Sequence, residues 1–443
     1  MKKYILCMSF VALYFSGANA MDLSLSRAID MIQTESQDLK KADANVRKAR
    51  AGLDAVNSNR WFKLEGSATY MNLINVENPG KPLGFAVPGI ILNNPAIPQG
   101  TIPAFIELPD NIGMVGVTLT QPIYTFGKIG NAADAARTAI KMAESGDKMA
   151  RKEVRAAAAQ IYWTAKMTDE MVKIAEKNLK ASTDAKRQLE QAGRAHRMNL
   201  VKISADIAAK EISLSDAEFN RDSAHRLLKI LAGIDTNEPL VLTDEFPNEF
   251  AAPDAPATLE SNHEWDILNA TARMYESQAA SHRANRYPTL AATASYNYIA
   301  LHDNYKLWDG STSQAAYWGL ALSVPLWDGM AARANATMDA MAAEFARQDL
   351  DKSKKMKANE YAEAMLKHEH LRTNLAKLHN AQDLAARAAQ ISADRFAAGQ
   401  TSAIELSDVQ QALAQMDMAV LNAKFNILMA EENVKKLTTG NQN

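Results

Sequence analysis

Hydrophobic residues recur at alternating spacings of three and four near the C-terminal end of the sequence. This is a heptad pattern, and its 3.5-residue period favours helices that coil left-handed around their neighbours. A weaker version runs from Leu200 to Leu231, where Lys210 and Arg221 interrupt it. The pattern predicts helices over about 200–233 and about 402–438, and the positions that carry the stronger one are Leu406, Val409, Leu413, Met416, Val420, Ala423, Ile427, Ala430, Val434 and Leu437.

Two much longer helices are predicted over about 127–192 and about 329–397. The first contains no proline, and at about 1.5 Å per residue it would run about 100 Å. The two shorter helices of each half have together nearly as many residues as the long one, so antiparallel packing requires them to stack end to end along it. A rod of this kind is far too elongated for a globular enzyme core. The shorter helices are predicted over about 27–60 and 200–233 in the first half, and about 257–287 and 402–438 in the second.

Four other segments alternate with a period of two, which is typical of half-buried strands. They lie at 64–73, 115–120, 290–299 and 318–324. Each tends to place apolar residues on one face and small or polar ones on the other, and 64–73 alternates less cleanly than the rest. Such segments suit a transmembrane β-barrel as well as a soluble sandwich. Aromatic residues cluster near the strand ends, where an interfacial girdle would lie: Trp61, Tyr124, Tyr287, Tyr317, Trp318 and Trp327.

Four strands cannot close a barrel alone, because known barrels begin at about eight strands. An open sheet in lipid would expose two unpaired edges, which a bilayer does not tolerate. If these strands enter a membrane, the chain must therefore oligomerise. Two copies would supply eight strands and three copies twelve.

The passage from strand to helix occurs twice, at "QPIYTFGK" and at "VPLWDG". Pro122 and Pro325 mark the points where a strand ends and a helix has not yet begun, so that the missing N–H costs least. Gly127 and Gly329 then permit a sharp change of direction. The duplicated junction indicates a duplicated structural unit.

The whole chain follows this tandem arrangement. Residues 1–20 have two lysines, an apolar segment and a small-x-small ending, which predicts a secretory signal peptide. A first repeat over 21–233 and a second over 259–443 share the order helix, strand, strand, long helix, helix. Residues 234–258 hold four prolines and six acidic residues, and we interpret them as a linker.

Composition and charge exclude several classes of protein. The 49 basic and 51 acidic residues give a formal net charge of -2, which leaves no electrostatic footprint for nucleic acid. The only cysteine, Cys7, lies in the predicted signal peptide, so the mature chain would have no disulfide and no cysteine metal site. We therefore expect no cofactor and no metal.

No catalytic constellation stands out, and we expect no enzymatic activity. The sequence has no H-E-x-x-H, G-x-S-x-G or phosphate-binding glycine loop. His368 and His370 are two residues apart on a predicted helix and would point to nearly opposite sides. They cannot chelate one metal, and a solvated helix face is the expected surrounding.

The signal peptide, the duplicated strand-pair and helix units, the two junctions and the glycine-containing helical turns together resemble the TolC-like outer membrane efflux family. The resemblance covers essentially all of the mature chain. It implies an α+β membrane protein with four strands per chain, whose homotrimer forms a 12-stranded β-barrel in outer membrane lipid. It also implies a long antiparallel α-helical, coiled-coil tunnel across the periplasm of a Gram-negative bacterium. Such channels dock onto a periplasmic adaptor protein and an inner-membrane pump.

The same resemblance assigns roles to individual residues. Glu405 and Asp408, one helical turn apart, would ring the periplasmic mouth of the pore, where mutual repulsion raises carboxyl pKa values. Acidic residues also suit the first turn of a helix, which is the simpler interpretation. The helical turns resemble the tips that meet the adaptor, at Ala192, Gly193, Ala398, Gly399, Gln400 and Thr401.

One departure from the family pattern concerns closure of the mouth. Some members use a tyrosine, an arginine and an aspartate as an ionic latch, and the matching positions here are Phe396, Thr401 and Asn199. We therefore expect closure to depend on other contacts.

A second class of protein, a periplasmic coiled-coil adaptor or scaffold without a pore, would explain the helices equally well. It would not explain four alternating strands at the same end of both repeats. The cargo stays open at this stage: drugs, metal ions, small metabolites and secreted polypeptides could each use such a conduit.

Overall fold

The computed structural model describes residues 21–72, 111–191, 197–250, 262–302 and 311–438. The predicted signal peptide and the helical turn at Ala192 and Gly193 lie outside these ranges, as does the C-terminal part of the predicted linker. Within them, no helix is both long enough and apolar enough to cross a membrane.

Seven helices and six strands follow one another along the described chain. The helices are α1 Leu25–Glu35, α2 Gln37–Ser58, α3 Lys128–Gln191, α4 Arg197–Ala232, α5 His263–Ala284, α6 Ala331–Ala397 and α7 Ala403–Thr438. The strands are β1 Met21–Leu23, β2 Lys63–Asn72, β3 Asn111–Tyr124, β4 Leu240–Leu242, β5 Thr289–His302 and β6 Ser311–Ser323.

The two long helices and the four longer strands confirm the predicted elements. α3 has 64 residues and α6 has 67, and each begins and ends within two residues of its prediction. The helix predicted over 27–60 is instead two helices, because Ser36 ends α1 and its hydroxyl accepts a hydrogen bond from the Leu39 amide at the start of α2.

The structure divides into two compact units, and each takes residues from both halves of the chain. The helical unit comprises the described parts of Met1–Lys48, Ile140–Thr271 and Phe345–Asn443. The sheet unit comprises those of Ala49–Ala139 and Ala272–Glu344. The compact units therefore cut across the predicted repeats, whose boundaries stay predictions.

The core of the helical unit is built around a two-stranded parallel sheet that the sequence did not reveal. β1 pairs with β4, which lies inside the predicted linker, through Met21 to Leu240 and Leu23 to Leu242. Leu23 and Leu242 are buried beside Leu228 and Ile427. The segment between the repeats is thus packed into the core, and it holds the start of the first repeat in place.

A buried tyrosine of α3 joins strand β1 of this core to the segment after β4 through hydrogen bonds. The Tyr162 hydroxyl donates to the Asp244 carboxylate at 2.6 Å and lies 3.1 Å from the Leu23 carbonyl. The same carboxylate accepts a hydrogen bond from the Leu25 amide at 2.7 Å. Burial and the hydrogen bond with Asp244 raise the pKa of Tyr162, so the phenol stays protonated.

The sheet unit contains a four-stranded antiparallel sheet with the order β2-β3-β5-β6. The register runs straight across it: Val117 lies opposite Gly66 of β2 and Tyr296 of β5, and Tyr296 lies opposite Ala316 of β6. Because directly paired residues share a face, this register decides which side chains lie together.

Candidate functional site

One face of the sheet is apolar and exposed. Val117, Tyr296 and Ala316 lie on it, as do the alternate residues along each strand. Trp318 is 86% exposed although its indole is among the largest apolar side chains in the protein. An exposed patch of this kind marks a surface that another apolar phase covers. Its larger members are Leu64, Tyr70, Val115, Val117, Tyr296, Tyr298, Trp318, Leu320 and Leu322.

The opposite face carries mainly small and polar side chains. The hydroxyls of Thr118 and Ser295 lie 3.0 Å apart across β3 and β5, and the Asn297 amide donates to Ser295 at 3.0 Å. Gly116 lies opposite Asn297, where a Cβ atom would collide with the amide side chain. The sheet therefore separates an apolar side from a polar side.

Both outer strands of this sheet are open. β2 pairs only with β3 and β6 pairs only with β5 among the described residues. Each strand thus presents a row of backbone N–H and C=O groups with no partner in the sheet, and such edges associate readily with other strands. An amphipathic sheet with two open edges has the form of one segment of a larger, continuous sheet.

The two strand-to-helix junctions differ in detail from one another. Pro122 lies inside β3, just before a shift of register, whereas Pro325 follows the end of β6 at Ser323. Gly127 and Gly329 have positive φ angles of 84° and 63°. Those angles are the left-handed conformation that glycine adopts without a penalty, so both strand-to-helix junctions use the conformational freedom of glycine.

Two further residues share this backbone conformation, and the sequence did not single them out. Phe126 has a φ of 48° and Met330 a φ of 66°. The Phe126 ring packs edge-on against Tyr124 at 4.6 Å and stacks on Tyr287 at 6.0 Å, measured between ring centroids. The first junction is thus held by an aromatic cluster.

The turn between α6 and α7 is a compact helix end. Gly399, at a φ of 74°, follows the last turn of α6. The Gly399 amide donates to the Phe396 carbonyl at 2.9 Å, and the Gln400 amide donates to the Arg395 carbonyl at 2.8 Å. These two bonds form a Schellman motif, which satisfies carbonyl groups at the end of α6. Ala398, Gly399, Gln400 and Thr401 therefore form a defined tip.

Glu405 has a role in the first turn of α7. The Glu405 carboxylate accepts hydrogen bonds from the Thr401 hydroxyl and, at 3.2 Å, from the Ser402 amide. The Glu405 amide in turn donates to the Ser402 hydroxyl at 3.2 Å, which completes a capping box. The Thr401 and Ser402 hydrogen bonds lower the pKa of Glu405 within a single chain, opposite to the shift expected in a ring of carboxylates. Asp408, one turn further on, is exposed like Glu405.

A small hydrophobic cluster lies just above this tip. It joins the ends of α3 and α6 to the starts of α4 and α7, through Ala185, Ile203, Phe396, Ala403 and Leu406. Phe396, at the position of the latch tyrosine, is buried in it. Its ring therefore packs between helices of both halves of the chain. The Asn199 side chain lies outside what the structure describes.

A buried lysine connects three helices beside the same cluster. Lys210 of α4 is 3.1 Å from the Asp206 carboxylate and donates to the hydroxyls of Ser182 in α3 and Ser407 in α7. Burial favours a raised pKa for Asp206, but hydrogen bonds from Ser407, Ser182 and Lys210 outweigh it and lower the pKa. The lysine that interrupts the heptad pattern is thus the centre of a polar network.

The expectation of a solvated surrounding for both histidines is wrong for one of them. His368 is 1% exposed and its Nε2 lies 3.5 Å from the Glu431 carboxylate of α7. His370 is exposed and its Nε2 is hydrogen-bonded to the Asn374 amide at 3.0 Å. They do point to opposite sides of α6, as their spacing predicts. Within the described ranges, no three acidic, histidine or cysteine side chains form a group that could hold a metal.

A comparison with protein families matches this chain to the model described as outer membrane efflux protein. The match covers residues 106–233 and 257–440, which lie on the two predicted repeats and exceed half of the chain. No curated protein sequence matches it.

Solved structures of outer membrane channels share the fold. CusC superposes with a TM-score of 0.75 at 14% identity, over 97% of this chain and 96% of its own. The CmeC outer membrane channel of Campylobacter jejuni gives 0.74 at 17% identity, over 94% and 85% of the two chains. The open state of the MtrE outer membrane channel of Neisseria gonorrhoeae gives 0.73 at 16% identity, over 94% and 89%. The helical pairs and the four-stranded sheet therefore follow one shared architecture.

Proposed function

This chain belongs to the outer membrane efflux protein family, and on that premise we propose that it is the passive outer membrane conduit of a tripartite efflux or type I secretion system. Channels of this family lie in the outer membrane of Gram-negative bacteria, extend into the periplasm, form trimers and dock with adaptor and pump partners. For this chain we propose a homotrimer docked on a periplasmic adaptor and an inner-membrane pump.

The observation that carries the proposal is the amphipathic sheet with two open edges. Pairing β6 of one copy with β2 of the next satisfies both edges, and three copies then give a closed barrel of twelve strands. The exposed apolar face meets lipid and the face with Thr118 and Ser295 lines the channel.

An exposed apolar stripe on α4 supports association of copies in the helical unit as well. Val201, Ile212, Phe219 and Ile230 are all more than half exposed. Their spacings of 11, 7 and 11 residues are each close to a whole number of helical turns, so the four side chains lie on one face. A neighbouring copy would bury this stripe.

We propose that Glu405 and Asp408 form the selective ring at the periplasmic mouth. Threefold symmetry would gather six carboxylates there, and such a ring favours cations. Exposure of both side chains in the single chain supports this role. The capping box gives Glu405 a second role, since its carboxylate also orders the turn that carries the ring.

The helix tips are the proposed contact with the adaptor, through Ala192 and Gly193, outside the described residues, and through Ala398, Gly399, Gln400 and Thr401. The Schellman motif supports a preformed shape for the second tip. With Phe396 buried at the latch position, closure of the mouth would depend on apolar packing between helices.

The family match and the solved channels give the alternative of a scaffold without a pore no support. The test is a matched pair of neighbouring substitutions on opposite faces of β6. Leu320→Arg places a charge on the apolar face, and Ala321→Arg places the same charge on the polar face.

Under the proposal, detergent-purified wild-type protein is a trimer by native mass spectrometry and conducts ions in a planar bilayer. Leu320→Arg reduces the membrane-inserted trimer, because arginine on a lipid-facing strand is destabilising, by about 0–1 kcal/mol near the interface and up to about 2–4 kcal/mol at mid-membrane. Ala321→Arg still inserts. A wild-type chain that stays a water-soluble monomer, or equal tolerance of both substitutions, would overturn the proposal.

A further inference from the structure

A cleft with three arginines lies at the second strand-to-helix junction, wholly within the sheet unit. Its volume is about 500 Å³, a size that small-molecule sites commonly have. Arg283 lines it from the last turn of α5, Arg286 from two residues beyond that helix, and Arg333 from the first turn of α6. The junction residues Pro325, Leu326, Trp327 and Asp328 also line it.

The three arginines of this cleft form no ion pair with the described part of the chain. Among the described residues, Arg283, Arg286 and Arg333 have no carboxylate partner. The one acid among the residues that line the cleft, Asp328, uses its carboxylate to accept a hydrogen bond from the Ala332 amide at 2.9 Å, in the first turn of α6. Three arginines beside one engaged carboxylate favour an anion, and their planar guanidinium groups suit a phosphate.

The first junction shows that such a cleft is not a necessary consequence of the fold. There the aromatic cluster of Tyr124, Phe126 and Tyr287 packs against the turn. At the second junction the turn carries Leu326, 92% exposed, and Trp327, also exposed, with no aromatic partner among the described residues. Aromatic rings therefore pack against the first junction, whereas a cleft lies beside the second.

The apolar face of the sheet leads directly into the cleft. Trp318, Leu320 and Leu322 lie on that face of β6, and exposed apolar residues continue at the same spacing of two at Val324 and Leu326. An elongated apolar chain lying along this row would have its polar end at the arginines. Tryptophan beside the cleft is the residue that membrane–water interfaces favour.

We propose that this cleft binds the phosphate headgroup of an anionic phospholipid, whose acyl chains lie along the apolar row of β6. The proposal rests on the proposed function, which places the junctions at the periplasmic end of the barrel and hence beside the inner leaflet. Basic pockets at the edge of a membrane bind lipid headgroups in this way. The bound lipid would anchor the place where sheet becomes helix.

The experiment measures the relative association of spin-labelled phosphatidylglycerol and phosphatidylcholine with the trimer in nanodiscs. The variant is Arg283→Gln/Arg286→Gln/Arg333→Gln. The control is Arg155→Gln/Arg226→Gln/Arg387→Gln, which removes the same charge from exposed arginines of the helical unit. Each arginine near a membrane surface contributes about fivefold to the binding of an anionic lipid. We expect the wild type and the control to prefer phosphatidylglycerol and the cleft variant to lose that preference.

Four results would overturn the proposal. Retention of the preference in the cleft variant, or an equal loss in the control, would show that the cleft is not the site. Displacement of the labelled lipid by millimolar inorganic phosphate would identify a free anion as the ligand. Loss of the trimer in the cleft variant alone would assign the arginines to a subunit contact. Failure of the channel function is seen separately, in wild-type protein that forms no trimer and conducts no ions.

Discussion

Replacing the buried Lys210 by methionine tests how the helix ends are held in register. Methionine has nearly the length of the lysine stem but cannot donate to Asp206, Ser182 or Ser407. Lys210 is 6% exposed and Asp206 is 29% exposed at the side chain. Removing one partner of a buried ion pair costs about 3–5 kcal/mol. Because water still reaches Asp206, we expect a smaller cost than that of a fully buried pair, about 2–3 kcal/mol.

Hydrogen exchange measured by mass spectrometry reports this loss locally. A decrease of about 2–3 kcal/mol in the free energy of opening speeds amide exchange about 30- to 150-fold, since each 1.4 kcal/mol is a factor of ten. We expect the increase around residues 182 and 210. Lys202→Met on the exposed face of the same helix is the control and should change exchange little.

A double variant separates charge from packing. In Lys210→Met/Asp206→Leu both charges are gone, and replacing a buried pair by apolar residues is often nearly neutral. Exchange should therefore return towards that of the wild type. If Lys210→Met behaves like Lys202→Met, the network contributes nothing to the stability of the helix ends and the reasoning is refuted.

Other perturbations test the mouth and the core. Glu405→Gln/Asp408→Asn should reduce cation selectivity in a planar bilayer without unfolding α7, because glutamine can also complete a capping box; an unchanged reversal potential contradicts the ring. Phe396→Ala should lower the free energy of unfolding by about 3–5 kcal/mol, because it leaves a cavity. Amide exchange should become faster in the four helix ends around it, and unchanged exchange would show that the ring does not stabilise them. The lowered pKa values of Asp206 and Glu405 mean that their stabilisation is present at neutral pH and is lost as the pH falls through the lowered values. Exchange in the first turn of α7 should therefore rise below about pH 4, and a flat profile would contradict this sign. Tyr162→Phe, which removes a buried hydroxyl, should cost about 1–3 kcal/mol in chemical denaturation, and an unchanged midpoint would contradict its bonding role.

Long regular patterns made most of the fold predictable. The 64 and 67 residues of α3 and α6 repeat a helical period many times, so that errors at single positions do not change the outcome. The longer strands alternate with a period of two over about ten residues. Because alternate residues point to opposite faces, this pattern gives the sheet one apolar and one polar face. Short elements have no such redundancy. β1 and β4 have three residues each, and the break at Ser36 depends on one hydroxyl.

The sequence predicted which residues belong to the candidate site, but it did not predict most of the contacts that they make. The spacing of Glu405 and Asp408 on one helix face follows from the sequence alone. The two hydrogen bonds between Glu405 and Ser402 fit a capping-box pattern, S-x-x-E, that can be read in the sequence. The arginine cleft was not readable, because Arg286 and Arg333 are 47 residues apart in the chain and meet only through the turn between strand and helix.

The sequence by itself determined the period of every long element and the duplicated order of strands and helices. It also determined that four strands are too few to close a barrel. These are properties of neighbours along the chain, and local backbone geometry converts them directly into structure. Only the tertiary structure decided that Lys210 is a buried centre of hydrogen bonds, that His368 is enclosed beside Glu431, and that the predicted linker supplies a core strand. A polar side chain has the same local pattern in water and in a core. The partners that satisfy it come from distant parts of the chain, and only folding brings them within hydrogen-bonding distance.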